Sequence, residues 1–214
     1  YVVIGTARPG HGVNAAAGAP FDPAAGVAAD CLVRSVAAVI DTAILSGPGR
    51  QLVAQLALQQ SRGTAARIVT FRRAGRPVSP FVAYAESRGV RCDVIEETGR
   101  LDMSVLPRVR ESLAAAGATV VQTHGYRPSA IVRSLRALGW YRGGWVGFYH
   151  GATAEDWKVR LYDALDRRLL RSADQVVVMS RPQLALFEDL GARAALVFNA
   201  VLDEGAVSGA AGEA

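Results

Sequence analysis

Two of the chain's three histidines, His124 and His150, close apolar runs and are each followed by glycine, in "TVVQTHG" and "WVGFYHG". An imidazole can donate or accept a hydrogen bond near neutral pH, which suits a hydroxyl-rich ligand. No third histidine or cysteine accompanies them at ligand spacing, so no metal is expected. A histidine at such a position is often structural instead, and spacing leaves both readings open. The stretch "SGPGRQL" (46–52) offers different chemistry. Glycines let a backbone approach a ligand, and a helix start presents free N–H groups and a positive dipole end. Gly47 and Gly49 could serve that purpose, with Arg50 adding a charge. The loop nevertheless lacks the Gly-Lys-Ser/Thr end of a P-loop, and Leu52 stands where a dinucleotide fingerprint needs its third glycine. A plain turn between strand and helix stays open beside a phosphate-approaching loop.

These residues are placed by a regular alternation of elements. Strands are expected at 35–42, 67–71, 92–97, 119–125, 145–151, 175–180 and 194–201. Helices are expected at 50–63, 79–89, 102–117, 128–139, 154–174 and 181–191, from 3.6-residue apolar spacing and from caps such as Ser79-Pro80 and Gly89. The strands are near-continuous apolar runs, as when helices cover both faces of a sheet. This pattern implies an α/β fold, a Rossmann-like, doubly wound and mostly parallel sheet with helices on both faces. Ligands in such folds bind beyond the carboxyl ends of the strands, where both histidines and the Ser46–Arg50 loop fall. Residues 1–33 are rich in Ala, Gly and Pro without a sustained period and read as a disordered lead segment, and 204–214 as a flexible tail. "YVVIGTARPGHG" imitates a strand and glycine loop, but Gly18, Pro20 and Pro23 break the helix that would have to follow.

The 214 residues suffice for one well-buried domain, and half are hydrophobic. No apolar run approaches the roughly 20 residues of a membrane span, and the start lacks a signal-like apolar block. A cytoplasmic protein is expected, with peripheral membrane contact left open. Cys31 and Cys92 support no disulfide framework. The net charge of +5 rests on arginine, with Lys158 the only lysine. It could attract phosphorylated molecules or an anionic membrane, whereas nucleic acid is not expected, because no recognition motif is present. On the helix at 154–174, the basic residues and Asp163 and Asp166 read as a solvated face with internal ion pairs.

The order of these features resembles the N-terminal domain of GT-B retaining glycosyltransferases of the family-4 type, the glycosyl transferases group 1. It runs from the strand–"SGPGRQL"–helix opening through "VVQTHG" and "YHG…KVRLYDALDRRLLRSADQVVVMS" to "VFNAV". The resemblance covers residues 35–203, and the domain is placed at 34–203. It implies two Rossmann-like domains facing across a cleft, the N-terminal one receiving the acceptor and the C-terminal one the nucleotide-sugar donor. It implies further that Gly47 and Gly49, with Arg50, approach the donor diphosphate and that His150 contacts the transferred sugar. His124, Tyr126 and Lys158 fall at acceptor contacts, and Asn199 at the interdomain hinge, where "FNAVLD" replaces the usual proline and glycine. No cofactor is implied beyond the nucleotide sugar, which is a substrate, and the acceptor would be a small molecule, a glycan or a lipid. The donor-binding domain is absent from this chain, so the chain alone is expected to be inactive and to self-associate through its uncovered cleft face. Two other readings remain. One is a non-catalytic binding module of the same descent. The other is another Rossmann-like nucleotide-dependent enzyme, which would need a full glycine fingerprint and a Tyr-x3-Lys pair that the sequence lacks.

Overall fold

The structure is a computed structural model that describes residues 34–99, 102–151 and 157–198. The expected lead segment, the tail and Asn199 lie outside them. Among the described residues, seven strands form one parallel sheet in the order β3-β2-β1-β4-β5-β6-β7. They are β1 (Ser35–Ile40), β2 (Ala65–Arg73), β3 (Arg91–Glu97), β4 (Val120–His124), β5 (Gly144–Tyr149), β6 (Gln175–Val178) and β7 (Ala194–Leu196). The helices are α1 (Gly47–Ser61), α2 (Pro80–Ser87), α3 (Val105–Ala115), α4 (Tyr126–Ala137), α5 (Trp157–Leu170) and α6 (Arg181–Ala185).

Side chains of successive strand residues point to opposite faces, so a strand covered on both sides must be apolar throughout. In β1 all six residues are buried. Ala37 and Val39 join the core with Val109 of α3, Val132 and Leu135 of α4 and Leu170 of α5. Val36, Ala38 and Ile40 join the opposite core with Leu52 and Leu56 of α1 and Phe81 of α2. Trp145 on β5 is fully buried. Its indole N–H donates to Thr123 Oγ1 at 2.9 Å, so burial leaves no polar group of this ring unmade. Gly147 on the same strand has no room for a side chain, because an added Cβ would stand 2.2 Å from Leu170 Cδ2. That glycine lets α5 approach the sheet.

Two expected elements need correction. The helix expected over 181–191 is instead α6, five residues long, followed by a 3₁₀ segment at Glu188–Arg193. The break falls where Phe187 leaves helical geometry (φ −127°, ψ 23°) and is fully buried among the core residues. Of the strand expected over 194–201, Ala194–Leu196 is strand, and Val197 and Phe198 lie outside it. Ser79 holds the N-cap position of α2 and Pro80 opens the helix, as expected, without a capping bond from the Ser79 side chain. Leu161, Leu165 and Leu169 recur at four-residue steps along α5 but differ in burial. Leu169 is buried, whereas Leu161 and Leu165 are 58% and 40% exposed, beside Trp157 at 65%. Among the described residues no helix is long and apolar enough to cross a membrane.

Candidate functional site

The strand order reverses between β1 and β4, because β2 lies on one side of β1 and β4 on the other. A crevice opens at such a point beyond the carboxyl ends of the strands. Parallel register places Ile40 opposite His124, and His124 opposite Phe148. The loop after β1, the end of β4 and the residues after β5 are therefore neighbours, with strands spaced about 4.8 Å apart. This brings together Ser46–Gly49, His124 and His150, which are far apart in sequence.

The two histidines touch. His124 Nδ1 and His150 Nε2 share a hydrogen bond of 2.9 Å, so one ring donates and the other accepts. The His124 ring also stacks on Phe148, with centroids 4.7 Å apart and planes at 19°. His124 is buried, and its Nε2 has no partner among the described residues. Burial holds its pKa well below the ordinary imidazole value, and the neighbouring His150 lowers it further. Burial lowers His150 as well. Both rings are therefore neutral at neutral pH, and they act as hydrogen-bonding dipoles rather than cations. His150 is the more accessible of the two, with His124 behind it. The His150 carbonyl accepts from Gln183 Nε2 at 3.2 Å, while Gln183 Oε1 accepts from the Met179 N–H at 2.8 Å. The next residue must be glycine. Gly151 has φ +74°, and an added Cβ would stand 2.7 Å from Gln183 Nε2.

Ser46 caps α1, with its Oγ accepting from Gly49 N–H at 3.3 Å and its carbonyl from Arg50 N–H at 3.0 Å. Pro48 carries no N–H. Of the first-turn donors, that leaves the N–H of the exposed Gly47 to meet a ligand. Gly49 has a packing role, since a Cβ there would lie 3.2 Å from the Phe81 ring. Arg50 turns toward α2, its guanidinium 5.2 Å from the Tyr84 ring centroid. Tyr126 opens α4 after Gly125, whose φ of +95° a side chain would resist. Its ring stacks on Tyr162 of α5 at 4.7 Å and 7°. Lys158 lies in the first turn of α5.

The structure adds a group that the sequence reading did not single out. Arg127, in the first turn of α4, is buried against Glu97 at the end of β3 and bonds it through both terminal nitrogens. It also donates to Asp41, just after β1, at 3.0 Å, and lies 4.6 Å from the Phe71 ring centroid. Burial opposes the charge of Arg127, but the bonds to Glu97 and Asp41 outweigh it and raise the pKa. This triad ties the ends of β1, β3 and α4 together. The sequence signal was faint: a carboxylate closing "SVAAVID" and another closing "CDVIEE". Their common partner lies 86 and 30 residues away.

On the far side of α4, Tyr149 OH donates to Asp163 Oδ1 at 2.6 Å, and Arg167 pairs with the same carboxylate at 3.1 Å. Asp166 beside them is buried with one oxygen unpartnered. Burial pushes its pKa up to about 7; a hydrogen bond from Ser129 opposes the rise, and Asp163 adds to it.

A family model described as a glycosyl transferase 4-like domain matches residues 46–198. No curated protein matches. Among solved structures, the fold is shared with Anabaena HepE, crystallised with UDP, at 12% identity and a TM-score of 0.61, over 78% of this chain and 44% of that one. It is shared with the lipopolysaccharide outer core galactosyltransferase WaaB at 11% identity and 0.58, over 78% and 46%. The UDP-GlcNAc 2-epimerase of Neisseria meningitidis matches at 10% and 0.52, over 76% and 46%. The chain thus spans less than half the length of these proteins, and at such identities they show the fold alone. The family match covers the crevice from the Ser46 cap through both histidines to the end of the sheet, and by it the chain belongs to the glycosyl transferase 4-like domain family.

Proposed function

We propose that this domain forms the acceptor side of a glycosyltransferase that moves a sugar from a nucleotide-sugar donor to an acceptor hydroxyl with retention. The observation that carries the reading is the neutral imidazole pair at the carboxyl ends of β4 and β5, on the sheet edge to which the Gly47 loop also leads. In the proposed step the bond from the anomeric carbon to the diphosphate breaks, and the acceptor oxygen bonds the same carbon from the same face. The acceptor proton passes to the departing diphosphate oxygen. His150 holds a hydroxyl of the transferred sugar by a hydrogen bond that needs no charge. His124 fixes the orientation of the His150 ring from behind, and Tyr126 and Lys158 flank the acceptor. Negative charge grows on the diphosphate, where Gly47 N–H supplies one donor of a preorganised set. Asn199 would lie at a hinge to a donor-binding domain, which supplies the remaining cationic groups. The proposed reaction adds no cofactor and belongs in the cytoplasm. That HepE has been crystallised with UDP and with UDP-glucose supports a nucleotide-sugar ligand.

The test is to incubate the full-length protein carrying this domain with a panel of nucleotide sugars and candidate acceptors. Nucleoside diphosphate release and the anomeric configuration of the product are read by NMR. Transfer with retention is expected. No turnover and no binding with any donor would defeat the reading. A second reading, nucleotide-sugar 2-epimerisation, is favoured by the fold shared with the epimerase. It would appear in the same tubes as a C2 epimer formed without any acceptor.

A further inference from the structure

The carboxyl edge of the sheet carries a second feature, two strands from β4, at the ends of β2 and β3. A groove of about 410 Å³ opens there. That lies within the roughly 300–1,000 Å³ usual for small-ligand pockets. Its apolar wall is formed by Val94 from β3 and by Val78, Pro80 and Val82 from α2 and the segment before it, while Phe71 borders the groove from β2 with its ring turned to the opposite core under Arg127. Ala43, from the loop that leads to Ser46 and Gly47, closes the end nearest the crevice. The polar lining is Arg72, Arg73, Arg76 and Ser79.

The charges in this groove are not balanced. Glu96 pairs with Arg72. Glu97 and Asp41, the other carboxylates at this edge, are both taken by Arg127. Arg73 and Arg76 are exposed, and neither side chain has an ion pair or hydrogen bond among the described residues. Two further polar atoms on the lining are buried without a partner, Arg72 Nε and Ser79 Oγ. A buried unpaired polar atom costs free energy unless a ligand or water satisfies it. Both residues line the same groove as Arg73 and Arg76. The apolar wall then continues away from the cations, so an inorganic anion would leave most of the groove unused.

We propose that this groove binds a phosphate group carried on an apolar stem. Arg73, Arg76, Arg72 Nε and Ser79 Oγ would hold the phosphate, and Val78, Val82 and Val94 the stem. Naming this ligand as the acceptor rests on the glycosyltransferase reading, with the phosphate end anchored here and the rest of the molecule passing Ala43 toward His150. The binding itself does not depend on that reading.

Decyl phosphate below its micelle concentration is the probe, titrated calorimetrically against the 214-residue chain. Inorganic phosphate and decyl maltoside serve as controls. Decyl phosphate should bind at least about tenfold more tightly than either control, since each half of the groove contributes only with its own part of the ligand. Arg73→Gln and Arg76→Gln should each weaken it about tenfold, the loss expected for one charge-assisted hydrogen bond. Val78→Asp places an anion on an exposed part of the wall and should abolish binding while the melting temperature stays unchanged. Decyl phosphate binding no better than inorganic phosphate would overturn the proposal, as would equal binding by the arginine variants. Capture on anionic phospholipid vesicles without any affinity for monomeric decyl phosphate would overturn it too, because the arginines would then serve a membrane surface. Sugar transfer without decyl phosphate binding would remove the groove and leave the transferase reading. Binding without transfer by the full-length protein would keep the groove and remove that reading.

Discussion

The two halves of the carboxyl edge solve opposite problems. At the ends of β4 and β5 the groups that meet the crevice are neutral: two imidazoles whose pKa values burial lowers, with an exposed backbone N–H at Gly47 in the loop after β1. Toward β2 and β3 they are ionic: a buried Arg127–Glu97 pair that Asp41 joins from the end of β1, and beyond it Arg73 and Arg76, which have no carboxylate partner among the described residues. The contrast follows from shielding and from partners of opposite charge: Arg127 and Glu97 are as buried as His124, but each offsets the other's charge. The histidines lie under Phe148 and against each other, where a charge would have no water to solvate it. The arginines stand on the exposed loop after β2. A sugar hydroxyl needs a fixed, uncharged hydrogen-bonding partner, and a phosphate needs cations. The halves therefore suit different parts of one reaction mixture.

Arg127→Met attacks the ionic half at its root and carries the largest expected effect. It leaves Glu97 buried without a cation, which costs on the order of 3–5 kcal/mol. Urea unfolding should show that loss, and adding Glu97→Gln should restore much of it. Equal stability of the single variant and the parent would mean that the triad does not brace this edge.

Asp166→Asn tests the support beneath the neutral half, at the contact of α5 with α4 and β5. The folded pKa of Asp166 is raised to about 7 from an ordinary 3.8. The folded state therefore holds this proton more tightly than the unfolded state does. The resulting contribution is full below about pH 4 and is lost as pH rises through about 7. Ser129 and Asp163 face this carboxyl, and Tyr149 and Arg167 hold Asp163; all four stay in place in the variant. Melting temperatures between pH 5 and pH 8.5 should fall in the parent and flatten in the variant. The gain at pH 8 is a few kcal/mol at most, at 1.36 kcal/mol per pKa unit. Parallel curves would show that Asp166 does not titrate in this range.

His150→Ala should lower kcat/KM of the full-length enzyme on the order of a hundredfold, as for loss of one preorganised hydrogen bond at a reacting centre. Stability should change little by comparison. His124→Ala should act through His150, and the double variant should be no worse than His150→Ala alone. Additive losses would separate the two rings. Ser46→Ala has the smallest effect, about 1 kcal/mol of stability from the lost α1 cap. It also frees the Gly49 N–H for a ligand, so a large loss of stability would give the cap a wider role than its one bond.

Much of the architecture was legible in the sequence. Continuous apolar runs such as "SVAAVI" state that a strand is covered on both sides, and helix periods with Gly and Pro punctuation bound the connections. The failures were local and had tertiary causes. Phe187 is drawn into the core and ends the helix that its own segment would continue. Leu161 and Leu165 follow the same period as Leu169, yet only Leu169 is buried. Periodicity names a face of α5, but it cannot say how far along that face the rest of the fold extends.

The candidate site divides in the same way. The sequence by itself determined that His124, His150 and the Ser46–Gly49 turn stand at strand ends, because strand ends are set by local pattern. It also determined the arginine-rich balance of charge. Only the tertiary structure decided that the two imidazoles share one hydrogen bond, that Arg127 joins Glu97 to Asp41, and that Arg73 and Arg76 line a groove. Those contacts depend on the order and register of parallel strands whose residues lie far apart in the chain. Burial and the partners that packing supplies then set which of these groups are charged, and both are properties of the packed sheet rather than of any segment of it.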